Sequence, residues 1–275
     1  MIIEKSGDTM KFRTALLGFV LCGMAALVGA SQLTVRPQPQ IQPAAGFEKT
    51  AMDATLALYA VTQNDSGQKQ AHYLCTAFVI QQDATGYTLL SAGHCVSNLP
   101  IDSTFAVSEK IEEGALYPVT PIAARFDDVP TDVEDYSEFH LTTTNVYPVL
   151  QLGDESSEQV GSDVLVPHFA FGLGEQLASG KIASQLLHRT SYCPNCAGEF
   201  IIHATAGLGA SGAPVISATT HQVIGILTAE FENAGFIIEP ISAIQKSMLL
   251  PNQFEDLHQI QPPDFKNLFG APSNQ

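Results

Sequence analysis

Residues 72–96 read HYLCTAFVIQQDATGYTLLSAGHCV. Two apolar runs, His72 to Gln81 and Gly86 to Leu90, are separated by a short polar stretch that contains Asp83. Runs this short, rich in β-branched and aromatic residues and bounded by turn formers, read as strands. The same pattern continues outward in Thr55 to Val61, Val160 to Val166, Phe200 to His203, Val223 to Thr228 and Gly235 to Ile238. With no sustained 3.6-residue period, the spacing predicts an all-β sandwich or barrel. One helix is expected, Ile241 to Leu250, capped by Ser242 and stopped by Pro251. No repeat of 20–50 residues is visible, which argues against a propeller or solenoid.

Charge and composition narrow the function classes. The chain of 275 residues carries 28 Asp+Glu against 12 Lys+Arg, a formal net charge of −16. Phosphate recognition needs a cationic footprint, and no basic stripe is present, so nucleic acid is excluded as a partner. At 45% hydrophobic and 15% charged residues the chain is too apolar to be held open by self-repulsion, so a folded core is expected. The length allows one large domain or two small ones.

Lys11 and Arg13 precede an uncharged apolar run, Ala15 to Ala30, that ends in Val28-Gly29-Ala30 before Ser31. This is the pattern of a secretory signal peptide, residues 1–30. An uncleaved anchor is the alternative, and the one route to a membrane, although the run falls short of the roughly 20 residues that span a bilayer. An exported protein, periplasmic or secreted, is expected. The acid excess belongs to the exported part. Residues 31–49, rich in Pro and Gln, read as a linker, and residues 251–275 as a tail. Cys75, Cys95, Cys193 and Cys196 remain after cleavage, an even count that suggests disulfides in an oxidising compartment. Cys193-Pro194-Asn195-Cys196 reads first as a local disulfide, Cys193–Cys196. Half of a zinc site completed by His188 and His203 is an alternative. A redox motif lacks its βαβ setting.

Two further stretches carry chemistry. Leu90-Ser91-Ala92-Gly93-His94-Cys95-Val96 follows a strand, and Gly207-Leu208-Gly209-Ala210-Ser211-Gly212-Ala213-Pro214-Val215 lies far downstream. A serine hydroxyl is a weak nucleophile. It needs an imidazole to take its proton and paired N–H donors to hold the developing oxyanion. Gly209 and Gly212 allow a tight backbone around Ser211, so that the N–H groups of Gly209 and Ser211 can share one small pocket as an oxyanion hole.

Ser91-Ala92-Gly93-His94-Cys95 and Gly209-Ala210-Ser211-Gly212-Ala213-Pro214 together resemble the histidine and serine motifs of the chymotrypsin-like (trypsin-fold) serine peptidases. The resemblance implies two six-stranded antiparallel β-barrels with a short C-terminal helix, the first over 50–150 and the second over 151–250. It implies the disulfide Cys75–Cys95. It also implies a triad of Ser211, His94 and an acid drawn from the stretch Asp127 to Glu138. Asp135, followed by Tyr136 and Ser137, fits the family pattern best, with Asp132 as the alternative; Glu138 departs from it, an aliphatic residue being usual there. The expected partner is a peptide or protein substrate bound in the inter-barrel cleft, with no cofactor and no metal.

By the same resemblance Thr205 lies at the floor of the specificity pocket and Thr228-Ala229-Glu230 form its wall, which points to a neutral, small-to-medium residue before the scissile bond. Ala210 stands where relatives activated by cleavage carry an Asp, so that switch is not expected. The tail is too short for a PDZ domain. The rival function is a catalytically inactive relative that binds peptides or a protein partner in the cleft, although Ser211, His94 and the oxyanion glycines are all retained.

Overall fold

The computed structural model describes residues 46–64, 66–97, 99, 103–111, 114–126, 135–185, 198–231 and 235–249. Twelve strands close into two antiparallel barrels. The first is built from β1 (Thr55–Gln63), β2 (Lys69–Gln82), β3 (Gly86–Ser91), β4 (Thr104–Ser108), β5 (Tyr117–Arg125) and β6 (Tyr136–Thr142). The second is built from β7 (Asp163–His168), β8 (Gln176–Ile182), β9 (Phe200–His203), β10 (Pro214–Ser217), β11 (Val223–Phe231) and β12 (Gly235–Pro240). Going around the first barrel the order is β1-β2-β3-β6-β5-β4, and around the second β7-β8-β9-β12-β11-β10, so one topology is used twice.

Alternation explains why each sheet closes on an apolar interior. Along β6, Phe139 and Leu141 enter the first core with Leu56, Leu58, Val79 and Leu89, while Tyr136 turns outward. The second core gathers Val164, Val166, Ile202, Val215, Ile224 and Ile238. A third cluster joins the barrels: Phe78, Leu90 and Tyr136 from the first meet Ile216, Val223 and Ile226 from the second. Burying each such aliphatic or aromatic side chain stabilises the fold by about 1.5–3 kcal/mol. This shared layer fixes one barrel against the other.

Helix is scarcer than strand but exceeds expectation. Besides α3 (Ile241–Met248), there are α1 (Phe47–Asp53) and a single turn, α2 (His94–Ser97). At seven residues α1 is too short to be stable alone. Tertiary contacts hold it: Phe47 stacks on His221 at 4.2 Å, and Ala51 is fully buried. The cap of α3 also differs from expectation. Ser242 lies inside the helix, and the Glu155 carboxylate accepts both its N–H, at 3.2 Å, and its hydroxyl. An orphan donor of the first turn is thus satisfied by a remote acid rather than by a local cap. No helix among the described residues is long and apolar enough to cross a membrane. The expected signal segment, most of the linker and the tail lie outside the described residues.

Candidate active site

The histidine is placed by three converging strands. After β3 the chain turns at Gly93, where a Cβ would fall 2.0 Å from the Arg125 carbonyl oxygen at the end of β5 and 2.8 Å from that of Tyr136 at the start of β6. Only glycine permits this approach, and it sets His94 beside Asp135, the residue just before β6. Both carboxylate oxygens turn to His94: Oδ1 accepts its backbone N–H at 2.8 Å and Oδ2 faces Nδ1 at 2.6 Å. Nδ1 therefore carries the proton and Nε2 presents its lone pair. Burial opposes a charged imidazole here, but the hydrogen bond and the negative charge of Asp135 outweigh it and raise the His94 pKa above its ordinary 6.5. Phe126 covers the ring edge-on at 5.9 Å. The disulfide Cys75–Cys95 ties β2 to α2 next to His94. Cys75, Cys95 and His94 group donor atoms of metal-binding type, but both sulfurs are consumed in that bond, so no thiolate is available as a ligand.

The serine sits in two consecutive reverse turns. Ala210 N–H donates to the Gly207 carbonyl and Ala213 N–H to that of Ala210, each at 2.9 Å. Gly209 and Gly212 occupy the third position of these turns with φ of 89° and 82°, the value a type II turn requires there. Gly212 is pinned a second way, since a Cβ would lie 2.2 Å from the Thr76 carbonyl oxygen and 2.3 Å from the Ser91 hydroxyl of the first barrel. Thr76 N–H completes the join by donating to the Ser211 carbonyl at 2.9 Å. The serine turn is thereby pressed against β2 and the segment that leads into His94. The N–H groups of Gly209 and Ser211 have no acceptor among the described residues, the condition an oxyanion hole would require of its donors. The Ser211 hydroxyl donates to the Thr228 carbonyl at 3.3 Å, and no hydrogen bond joins it to His94 among the described residues.

Next to the serine, β11 offers an open edge. Its pairing with β10 ends at Ile226, whereas its pairing with β12 runs on to Phe231, with a bulge at Thr228. Thr228 to Phe231 thus present backbone groups on one side without a strand partner among the described residues. Such an edge accepts an extended peptide as an added strand.

The family model of the trypsin-like peptidase domain matches residues 75–226, which contain His94, Asp135 and the Ser211 turn. The chain belongs to the trypsin-like peptidase domain family. Two solved structures agree in fold: the HtrA-type protease AlgW with decapeptide, at 18% identity and TM-score 0.58, and a variant of AlgW with decapeptide, at 17% and 0.56. Each match covers 74% of this chain, which spans 65% and 64% of the respective AlgW chains. No curated protein matches in sequence.

Within this peptidase domain the expected pocket residues can be located. Thr228 is buried, Ala229 and Glu230 are exposed on the open edge, and Thr205 is exposed as well, its carbonyl accepting from His168 Nε2. Asp132, His188, Cys193 and Cys196 lie outside the described residues, so the proposed local disulfide and its zinc alternative fall there too.

The residue that sequence reasoning missed beside the pocket is His168, 1% exposed at the end of β7. Its Nδ1 accepts from Ala170 N–H at 3.1 Å and its Nε2 donates to the Thr205 carbonyl at 3.0 Å, which fixes the neutral tautomer. Alternation from Val164 and Val166 places His168 on the inward face, a signal the sequence did carry. Burial holds its pKa below 6.5, opposed only by the Thr205 bond. Its contribution to stability is present above 6.5 and lost as pH falls through the depressed folded value, because the unfolded state binds the proton first. His168→Gln should therefore show a shallower fall in urea midpoint below pH 6.5 than the parent, measured at matched pH.

Proposed function

We propose that this protein is a serine endopeptidase in which Ser211 is the nucleophile, His94 the general base and acid, and Asp135 the group that orients and stabilises the imidazolium. The observation that carries the reading is the Asp135–His94 pair, which leaves Nε2 as the acceptor of the imidazole, in a domain that also holds the Ser211 turn with two N–H donors that have no acceptor among the described residues. In the reaction the Ser211 hydroxyl oxygen attacks the substrate carbonyl carbon and its proton passes to His94 Nε2. Negative charge collects on the carbonyl oxygen, where the Gly209 and Ser211 N–H groups receive it. The tetrahedral intermediate collapses, the C–N bond breaks, and His94 returns the proton to the leaving amine. Water then attacks the acyl-enzyme by the same path in reverse roles. In the reaction the bond from Ser211 to Thr228 is exchanged for one to His94, and such bonds commonly tighten when substrate arrives.

The substrate is proposed to be a peptide in extended form, added as a strand to Thr228–Glu230. The exported location expected from residues 1–30 is part of the same proposal, supported by the disulfide Cys75–Cys95. Incubation with a diverse peptide library, read by mass spectrometry, tests the reading: cleavage at defined bonds supports it, and an intact library with folded protein overturns it.

A pH profile adds a sharper check. His94 must be neutral to accept the serine proton, and its pKa is raised, so the acid limb of kcat/KM is expected above pH 6.5. The measurement is kcat/KM on the best library substrate from pH 5 to 9. A limb at or below 6.5 contradicts the assignment of Asp135 as its partner.

A further inference from the structure

Tyr73 leaves the strand alternation of β2 for a reason. In the ladder between β1 and β2, Leu58 pairs with Cys75 and Tyr59 with Tyr73, so Leu74 is an extra residue, a β-bulge. Regular alternation would send Tyr73 to the same face as Cys75, which lies in the first core. The bulge re-aims it outward instead. There it packs with Tyr59, at 5.7 Å edge-on, and with Phe169 and Ile111. Its hydroxyl reaches two carbonyl oxygens of the second barrel, Gly209 at 2.7 Å and Phe169 at 2.8 Å. The Thr76 hydroxyl donates to the same Gly209 oxygen at 3.0 Å while accepting Phe169 N–H at 3.1 Å. The Tyr73 ring also lies under Gly209, where a Cβ would come within 2.6 Å of it.

The Gly209–Ala210 peptide lies between the two N–H groups of the oxyanion turn. A glycine at φ 89° has no side chain to resist rotation of that peptide, so its carbonyl must be held from outside. We propose that Tyr73, assisted by Thr76, is a positioning residue that clamps the Gly209 carbonyl and so keeps the Gly209 and Ser211 N–H donors aimed at the oxyanion. This inference rests on the acyl-transfer reading of the site. One further contact shows that the clamp spans a junction: Phe171 N–H donates to the Leu208 carbonyl at 2.6 Å, so the segment after β7 and the oxyanion turn are held together on both sides. Burial raises the Tyr73 pKa, opposed by its bond with Thr76, and keeps the phenol a donor through the working pH range.

The test is Tyr73→Phe, which keeps the ring and removes the donor. With the best library peptide, kcat is expected to fall about 10- to 100-fold with KM changed less than about twofold, since only charge developing in the transition state feels the misaimed donors. The affinity of a peptide boronate of the same sequence, whose tetrahedral adduct engages the oxyanion pocket, falls in parallel, while that of the uncleaved peptide on a Ser211→Ala background does not. If Tyr73→Phe does not fold, Thr76→Val removes the second donor to the same carbonyl and is read by the same two assays. Unchanged kcat and boronate affinity overturn the clamp, as does an equal loss in binding of the uncleaved peptide. An inactive wild type would instead overturn the peptidase reading, so the two failures are told apart.

Discussion

Ser211→Ala is expected to lower kcat on the best peptide substrate by about 10⁶-fold, the scale on which a hydroxyl nucleophile is lost from such a site. The size follows from the mechanism, because without the hydroxyl no acyl-enzyme forms and only binding and the N–H donors remain to assist water. The fold should be nearly indifferent. The turn around Ser211 is set by Gly209, Gly212 and backbone bonds, and among the described residues the hydroxyl makes a single bond, to the Thr228 carbonyl. Losing that bond costs about 0.5–1.5 kcal/mol. Progress curves together with a thermal melt separate the effects: activity gone with Tm shifted by a few degrees is the expected pair, and retained hydrolysis would remove Ser211 from the reaction.

Asp135→Asn is expected to cost on the order of 10⁴-fold in kcat, by a different route. The two oxygens of Asp135 accept both the backbone N–H and the Nδ1–H of His94. Asparagine has one acceptor oxygen. If it keeps the backbone bond, its NH₂ faces Nδ1 and drives the ring to the other tautomer, whose Nε2 bears a proton and is no base for Ser211. The raised pKa is lost as well, so the acid limb of whatever activity remains should move to lower pH than in the parent. Steady-state kinetics across pH 5–9 read both effects. A variant with parental kcat would place the orienting acid elsewhere.

How much of this was legible beforehand depended on whether a residue's partners are local in sequence. His94 and Ser211 sit in short motifs, and Gly209 and Gly212 have a local reason to be there, the positive φ of their turns, so the motifs carried the reading. Asp135 was legible only through the pattern of the strand that follows it. Tyr73 and Thr76 were not, because their role depends on a bulge at Leu74 that no local pattern announces and on carbonyls some 130 residues away in sequence. The cap of α3 was misread for the same reason: Ser242 looks like a local cap, and Glu155, 87 residues earlier in the sequence, takes its N–H. Helix α1 escaped because seven residues give no period to count, and its stability comes from the stack of Phe47 on His221 and the burial of Ala51. The two barrels share one strand order without sharing a visible sequence repeat, since a barrel asks only for alternation and turns.

The most direct measurement is the reaction of the folded protein with a fluorophosphonate at pH 8, the adduct located by peptide mass mapping. An activated serine displaces fluoride and keeps the phosphonyl group. A single adduct on Ser211, absent in Ser211→Ala and slowed by about 10³-fold or more in Asp135→Asn, is the predicted result. Folded wild-type protein that carries no adduct on Ser211 would contradict it.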